Sequence, residues 1–179
     1  HRVNTIDELR KLPVEYGVEI DLRDQGDRLI LQHDPFTGGE DFESYLAEYR
    51  HGTMILNIKS ERIESRVLDL VHRAGVKEYF FLDSSFPMIY LMSDKGIRDF
   101  ALRFSEFEGL DTIWSMQNRV DWIWVDCFTK LPIDSRNFAA LKKAGFKLCL
   151  VSPELQGRDA DIEPYRRYLD CEGIIFDAI

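Results

Sequence analysis

Four short groups of polar residues stand at the ends of apolar runs in the first third of the chain: His1-Arg2, Glu19-Ile20-Asp21, His33-Asp34 and Asn57-Ile58-Lys59. On a β-strand, residues i and i+2 point to the same face. Glu19 and Asp21 therefore project together, as do Asn57 and Lys59. Two carboxylates on one strand face are hard oxygen ligands, to which Asn57 can add a neutral carbonyl oxygen; such ligands suit Mg²⁺ or Ca²⁺ better than zinc. Such a cation polarises a phosphoryl oxygen and neutralises developing charge. Arg2 and Lys59 carry the positive charge to hold the remaining phosphate oxygens. His1 and His33 have the side chain whose unperturbed pKa lies near neutrality, which suits a base and an acid on opposite sides of a phosphorus atom. The set as a whole predicts a divalent metal ion beside a phosphate.

Each group alone has an ordinary reading. An E-x-D on a strand is commonly a solvated face, and His33-Asp34-Pro35 is also plain turn chemistry. His51 and His72 lie outside the pattern and read as surface residues. Trp114, Trp122 and Trp124 read as core or pocket wall, and Asp83 and Asp126 as caps at strand ends. Only the joint pattern is specific.

The rest of the sequence sets the frame. At 179 residues the chain is expected to form one domain, 1–179, with a sizeable core. Its 45% apolar content and 12% aromatic content are those of a globular protein. A net charge of −9 argues against a nucleic-acid backbone as partner. It leaves room for a small anionic ester, because a bound cation and Lys59 reverse the sign locally. Cys127, Cys149 and Cys171 lie in or beside apolar runs without metal-ligand spacing, so buried reduced thiols and a cytoplasmic location are expected. No apolar stretch reaches the roughly 18 residues that span a bilayer.

Short apolar runs alternate with helical patterns. Thr5-Ile6-Asp7-Glu8 is a capping box that opens a short helix ending near Pro13. Strands are expected at Val18 to Leu22, Arg28 to Gln32 and Met54 to Ile58. A helix capped by Ser60 should follow, presenting Ile63, Val67, Leu70, Val71 and Ala74 on one face. A loose repeat follows, in which Gly75, Gly96 and Gly145 each end a helix in the left-handed conformation before an apolar strand. Trp122 to Val125 and Gly173 to Phe176 supply further strands. Strands with helices between them imply parallel pairing and right-handed crossovers. Seven parallel strands are expected, near residues 20, 56, 81, 102, 124, 149 and 175. An eighth would end at His1, its body upstream. The fold class predicted is α/β, a small (β/α)8 TIM-type barrel whose first strand is truncated or absent. An open doubly wound sheet is disfavoured because no Gly-rich loop follows the first complete strand. In a barrel the strand C-termini face the active site, which gathers His1, Glu19, Asp21, Asn57, Lys59, Asp83, Ser105, Asp126, Ser152 and Asp177.

The order H-R, E-x-D, H-D, x-x-K resembles that of the glycerophosphodiester phosphodiesterases and their phospholipase C-like relatives, which include the sphingomyelinase D enzymes. Ser84-Ser85-Phe86 is similar to the serine-phenylalanine the family carries after its fourth strand. Glu172-Gly173-Ile174-Ile175-Phe176-Asp177 is similar to its closing strand. The resemblance thus spans essentially the whole chain. It implies a barrel, a divalent metal and two catalytic histidines. Residue by residue, it makes His1 and His33 the catalytic pair, Glu19 and Asp21 metal ligands, and Arg2 and Lys59 phosphate contacts. Asn57 stands where the family carries an acidic ligand, which lowers the charge of the cation site. Val3 replaces a glycine, with Asn4-Thr5 following directly. Only 22 residues separate Asp34 from Asn57, which leaves no space for the insertion that helps glycerol-specific enzymes bind substrate. The expected activity is metal-dependent hydrolysis of a phosphodiester of a small alcohol or polyol. The alternatives are an altered relative that binds a phosphorylated ligand without turnover, and an unrelated hydrolase using the rim carboxylates.

Overall fold

The structure, a computed structural model, describes all 179 residues, His1–Ile179. The chain divides into two compact units, His1–Met92 and Ser93–Ile179.

In the first unit, α1 (Ile6–Leu9) is opened by the capping box. Thr5 accepts from the Glu8 backbone, and the Glu8 carboxylate accepts from the Thr5 N–H. The sheet comprises β1 (Val18–Gln25), β2 (Arg28–Leu31), β3 (Glu40–Asp41), β4 (Met54–Ile58) and β5 (Tyr79–Leu82), in the order β3-β2-β1-β4-β5. The β1–β2 hairpin turns at Gly26, and β1, β4 and β5 run parallel. Residues 18–22 of β1 are buried without interruption, as in a strand covered on both faces. Ile20, Leu56 and Phe81 pair across three strands on the apolar face and are fully buried.

Helix α2 (Phe42–Glu48) packs on β2 and β3, and its N-terminus is capped by the Asp41 carboxylate, which accepts from Ser44 N–H at 2.9 Å. Helix α3 (Glu64–Arg73) buries Val67, Leu68, Leu70 and Val71. It begins later than its sequence suggests. The residue before it is Ile63, with no side-chain cap, and Ser60 lies in the preceding turn. Arg62, held at φ 66°, breaks the helical path between them. Gly75 closes α3 at φ 75°, a conformation only glycine adopts freely. Helix α4 (Phe86–Asp94) follows β5.

The second unit holds a three-stranded parallel sheet of β6 (Ala101–Phe104), β7 (Trp122–Val125) and β8 (Lys147–Leu150), in that order. Helices α5 (Asp111–Ser115), α6 (Ser135–Lys143) and α7 (Ile162–Glu172) complete it.

The α/β class and the parallel pairing match the sequence pattern. One continuous barrel ladder does not form, and the strands divide between two sheets. The expected strand at Gly173 to Phe176 is also missing. Gly173, at φ 66°, caps α7, and the next N–H, that of Ile174, returns to Leu169 O at 2.9 Å. Backbone committed to the helix end cannot join a ladder there, and Ile175 is 79% exposed. Only a single bridge, Cys149 to Ala178, is made. Cys171 is exposed, whereas Cys127 and Cys149 are buried as expected. The last turn of α7 carries Cys171 outward while Leu169 faces in. No helix is long and apolar enough to cross a membrane.

Candidate functional site

Glu19 and Asp21 lie in the first half of β1, and Asn57 lies near the C-terminal end of β4. Asp21 and Asn57 are register partners on adjacent parallel strands, so their side chains share a face, and Glu19 sits two residues earlier on it. All three are buried, at 5%, 0% and 5% exposure for Glu19, Asp21 and Asn57. Asn57 Nδ2 donates to Glu19 Oε1 at 2.7 Å. His1 Nε2 lies 3.3 Å from Glu19 Oε2. Burial pushes the Glu19 carboxyl above its ordinary range, and the Asn57 hydrogen bond pulls it partly back.

Asp21 is held on three sides. Asn4 Nδ2 donates to Asp21 Oδ2 at 2.8 Å, Asn4 Oδ1 accepts from Asp21 N–H at 2.8 Å, and Asp21 O accepts from Gln32 N–H at 2.9 Å. Its other oxygen, Oδ1, is buried with no hydrogen-bond partner, and so is Asn57 Oδ1. Lys59 Nζ lies 3.7 Å from Asp21 Oδ1 and 3.3 Å from Asp83 Oδ2. Asp83 ends β5 in the left-handed region at φ 58°, and Arg2 is held there at φ 53°. Two non-glycine residues so placed beside one site mark stored backbone strain.

His33 follows β2. Its Nδ1 is 2.8 Å from Asp34 Oδ1, and this hydrogen bond holds the Asp34 carboxyl below its ordinary range. The positive charge of Arg2 acts on Asp34 in the same direction. Both histidine side chains are about one-third exposed, at 36%.

Three supporting residues were given no role from the sequence. Arg23, four residues after Glu19 on the same strand face, spans two loops. It donates through Nε and Nη2 to His33 O at 3.0 and 2.7 Å, and through Nη1 to Lys59 O at 2.8 Å. Asn4 clamps Asp21 as described. Tyr45 of α2 donates its hydroxyl to Val3 O at 2.9 Å, tying down the segment that carries His1 and Arg2. The i+4 spacing of Arg23 on an alternating strand was the one available hint.

Other residues assigned to the rim have different work. Asp126 pairs with Arg103 and accepts from Cys127 N–H at 2.9 Å and Gln156 Nε2 at 3.0 Å, so its lone pairs are used. Ser105 Oγ accepts from Phe107 and Glu108 N–H in a tight turn, and Ser152 bonds Glu154. Asp177 is not at a strand C-terminus. It accepts from Leu148 N–H at 2.8 Å, near the start of β8, and pairs with Lys142 at 2.7 Å. His72 is exposed, as expected, and His51 is partly buried. His51 Nε2 lies 3.2 Å from Leu12 O, and His72 Nε2 lies 2.8 Å from the Tyr79 hydroxyl. Trp122 and Trp124 are buried, whereas Trp114 is 38% exposed.

No three His, Cys, Asp or Glu side chains converge as metal ligands. The oxygens at this site are therefore those of two carboxylates and one neutral amide, and Asp21 Oδ1 and Asn57 Oδ1 accept no hydrogen bond. The two atoms lie on neighbouring parallel strands.

No family model matches the sequence, and no curated protein matches it. Among solved structures, the fold matches the crystal structure of a glycerophosphodiester phosphodiesterase from Agrobacterium tumefaciens str. C58. The TM-score is 0.55 and the identity 17%, over 75% of this chain and 73% of that one. The chain thus has a glycerophosphodiester phosphodiesterase-like fold.

Proposed function

We propose that this chain is a metal-dependent phosphodiesterase of the phospholipase C-like barrel class, cleaving a phosphodiester of a small alcohol or polyol. The observation that carries the reading is the pair of buried oxygens that accept no hydrogen bond, Asp21 Oδ1 and Asn57 Oδ1, beside Glu19 and Lys59, whose Nζ lies 3.7 Å from Asp21 Oδ1. A buried oxygen without a donor costs stability and persists where a ligand satisfies it. The similar fold of a phosphodiesterase supports the same reading.

In this scheme Glu19, Asp21 and the Asn57 amide oxygen hold Mg²⁺ or Ca²⁺, which polarises a phosphoryl oxygen when bound. Lys59 and Arg2 hold the other phosphate oxygens. His33, with Nδ1 tied to Asp34, presents Nε2 as one proton-transfer group, and His1 presents the other. One histidine takes the proton of the attacking water or neighbouring substrate hydroxyl as the new P–O bond forms. The other protonates the departing alcohol oxygen as the old P–O bond breaks. Arg23 keeps the His33 and Lys59 loops in register for both steps.

A second reading is favoured by one contact. Lys59 Nζ already lies 3.7 Å from Asp21 Oδ1, and Asn57 brings no charge, so the site could hold a phosphorylated ligand through Lys59 without metal or turnover. Calorimetric titration with Mg²⁺ and Ca²⁺, followed by a panel of phosphodiesters with the better ion, decides between them. Saturable cation binding with release of an alcohol and a phosphate ester is the expected result. Absence of binding by any divalent ion, with phosphate esters still bound, would favour the second reading.

A further inference from the structure

Beside Lys59 a cavity of about 130 Å³ is lined by Ile58, Lys59, Ser60, Glu61, Glu64, Asp83 and Ser85. Glu64 is the first residue of α3 and is 1% exposed, yet its Oε2 has no hydrogen-bond partner. Ionised carboxylates are almost never so buried unless paired, because desolvation without compensation is costly. The helix start favours a negative charge there. It does not supply the missing donor.

We infer that this cavity is the pocket for the alcohol part of the substrate, and that it selects an amino alcohol carrying a primary ammonium group. The inference rests on the phosphodiesterase reading and deepens it. The lining sets one cation, Lys59, against three carboxylates, Glu61, Glu64 and Asp83, so it favours a positively charged guest. Lys59, paired with Asp83, is the residue this cavity shares with the phosphate site, so a guest attached to a bound phosphate enters directly. The three carboxylates do not converge as metal ligands. Dispersed acceptors, joined by the hydroxyls of Ser60 and Ser85, suit the three N–H donors of an ammonium. No aromatic ring lines the space, so it lacks the cage that quaternary ammonium groups use. The Glu61 carboxylate accepts from Ser85 Oγ at 3.2 Å, which steadies the cavity wall.

Calorimetry with phosphoethanolamine, phosphocholine, glycerol phosphate and inorganic phosphate tests this on the wild-type chain and on Glu64→Gln. Wild type should bind phosphoethanolamine at least about tenfold tighter than the other three, the return expected of one charge-assisted hydrogen bond. Glu64→Gln should erase that preference and leave inorganic phosphate affinity unchanged. If that variant does not fold, Glu61→Gln should show a partial loss of the same preference. Equal binding of all four probes, a preference for phosphocholine or glycerol phosphate, or a preference that survives in the variants would overturn the inference while the phosphate site stands. Failure of wild type to bind inorganic phosphate or any ester would overturn the functional reading and the inference with it.

Discussion

Asn57 is the residue on which the chemistry turns. In the proposed scheme it supplies the third oxygen of the site without a charge, and its amide nitrogen is spent on Glu19. Replacing it by aspartate adds a third carboxylate and removes that donor. Metal affinity should rise by roughly an order of magnitude, since hard cations gain affinity with ligand charge. Phosphodiesterase activity should rise with it. Unchanged metal affinity with weaker ester binding, measured by calorimetry on Asn57→Asp, would show that Lys59 neutralises the new charge and that the site works without a cation. His33 is tested separately. His33→Ala removes a ring about one-third exposed from a loop, so the melting temperature should hold. Turnover should fall by roughly 10²–10⁴-fold if the ring moves a proton. A variant with wild-type turnover would remove His33 from the mechanism.

At the scale of elements, the site depends on loops tied to strands by single side chains. Arg23 holds the His33 and Lys59 carbonyls with one guanidinium fork. A lysine there keeps the charge but cannot bridge both carbonyls with the same geometry. Arg23→Lys should lower kcat/KM by roughly 10- to 100-fold through misplacement alone, with little change in thermal stability. Steady-state kinetics beside a melting curve separates the two effects. Helix α2 is the second tie, because Tyr45 secures Val3 and through it His1 and Arg2. Its Asp41 cap should contribute about 1 kcal/mol, so Asp41→Ala should lower the melting temperature by about 2–4 °C. The Ser44 backbone N–H holds the Asp41 carboxyl below its ordinary 3.8. A lowered folded-state pKa means the contribution is present above the unfolded value and fades as pH falls through the folded one. The gap between wild type and Asp41→Ala should therefore be full at pH 7 and close below pH 3.8. A gap independent of pH would show that the cap is not electrostatic.

At the scale of the molecule, the charge of −9 sets what can approach. A polyanion meets net repulsion, while a small ester meets the local field of Lys59 and Arg2. A duplex DNA probe should keep its free electrophoretic mobility in the presence of the protein at about 0.15 M salt. Retardation under those conditions would mean that a basic face outweighs the total charge. Each compact unit is built around its own parallel ladder, three such strands apiece, with the antiparallel β2 and β3 added to the first.

Local pattern was legible where one short-range force dominates. Apolar runs located β4 and β7 to the residue, because strand burial is written in consecutive side chains. The capping box of α1 and the left-handed Gly75, Gly96 and Gly145 were equally readable, since each needs only neighbouring backbone. The i, i+2 rule placed Glu19 and Asp21 on one face, but it could not say that Asn57 would stand opposite Asp21. That pairing is a register between strands 36 residues apart, |21−57|, and register is decided by the packing of both faces. The roles of Asn4, Arg23 and Tyr45 were invisible for the same reason: each partner is distant in sequence, and polar side chains of these types are common on any surface. The last apolar run misled because glycine at 173 serves a helix end as readily as a strand start, and the hydrogen bond from Ile174 to Leu169 decided the contest. Composition and periodicity determined the class of fold and the residue types available for chemistry. Which oxygens are left without partners, and which cavity adjoins them, was decided only when distant strands and loops were brought into contact.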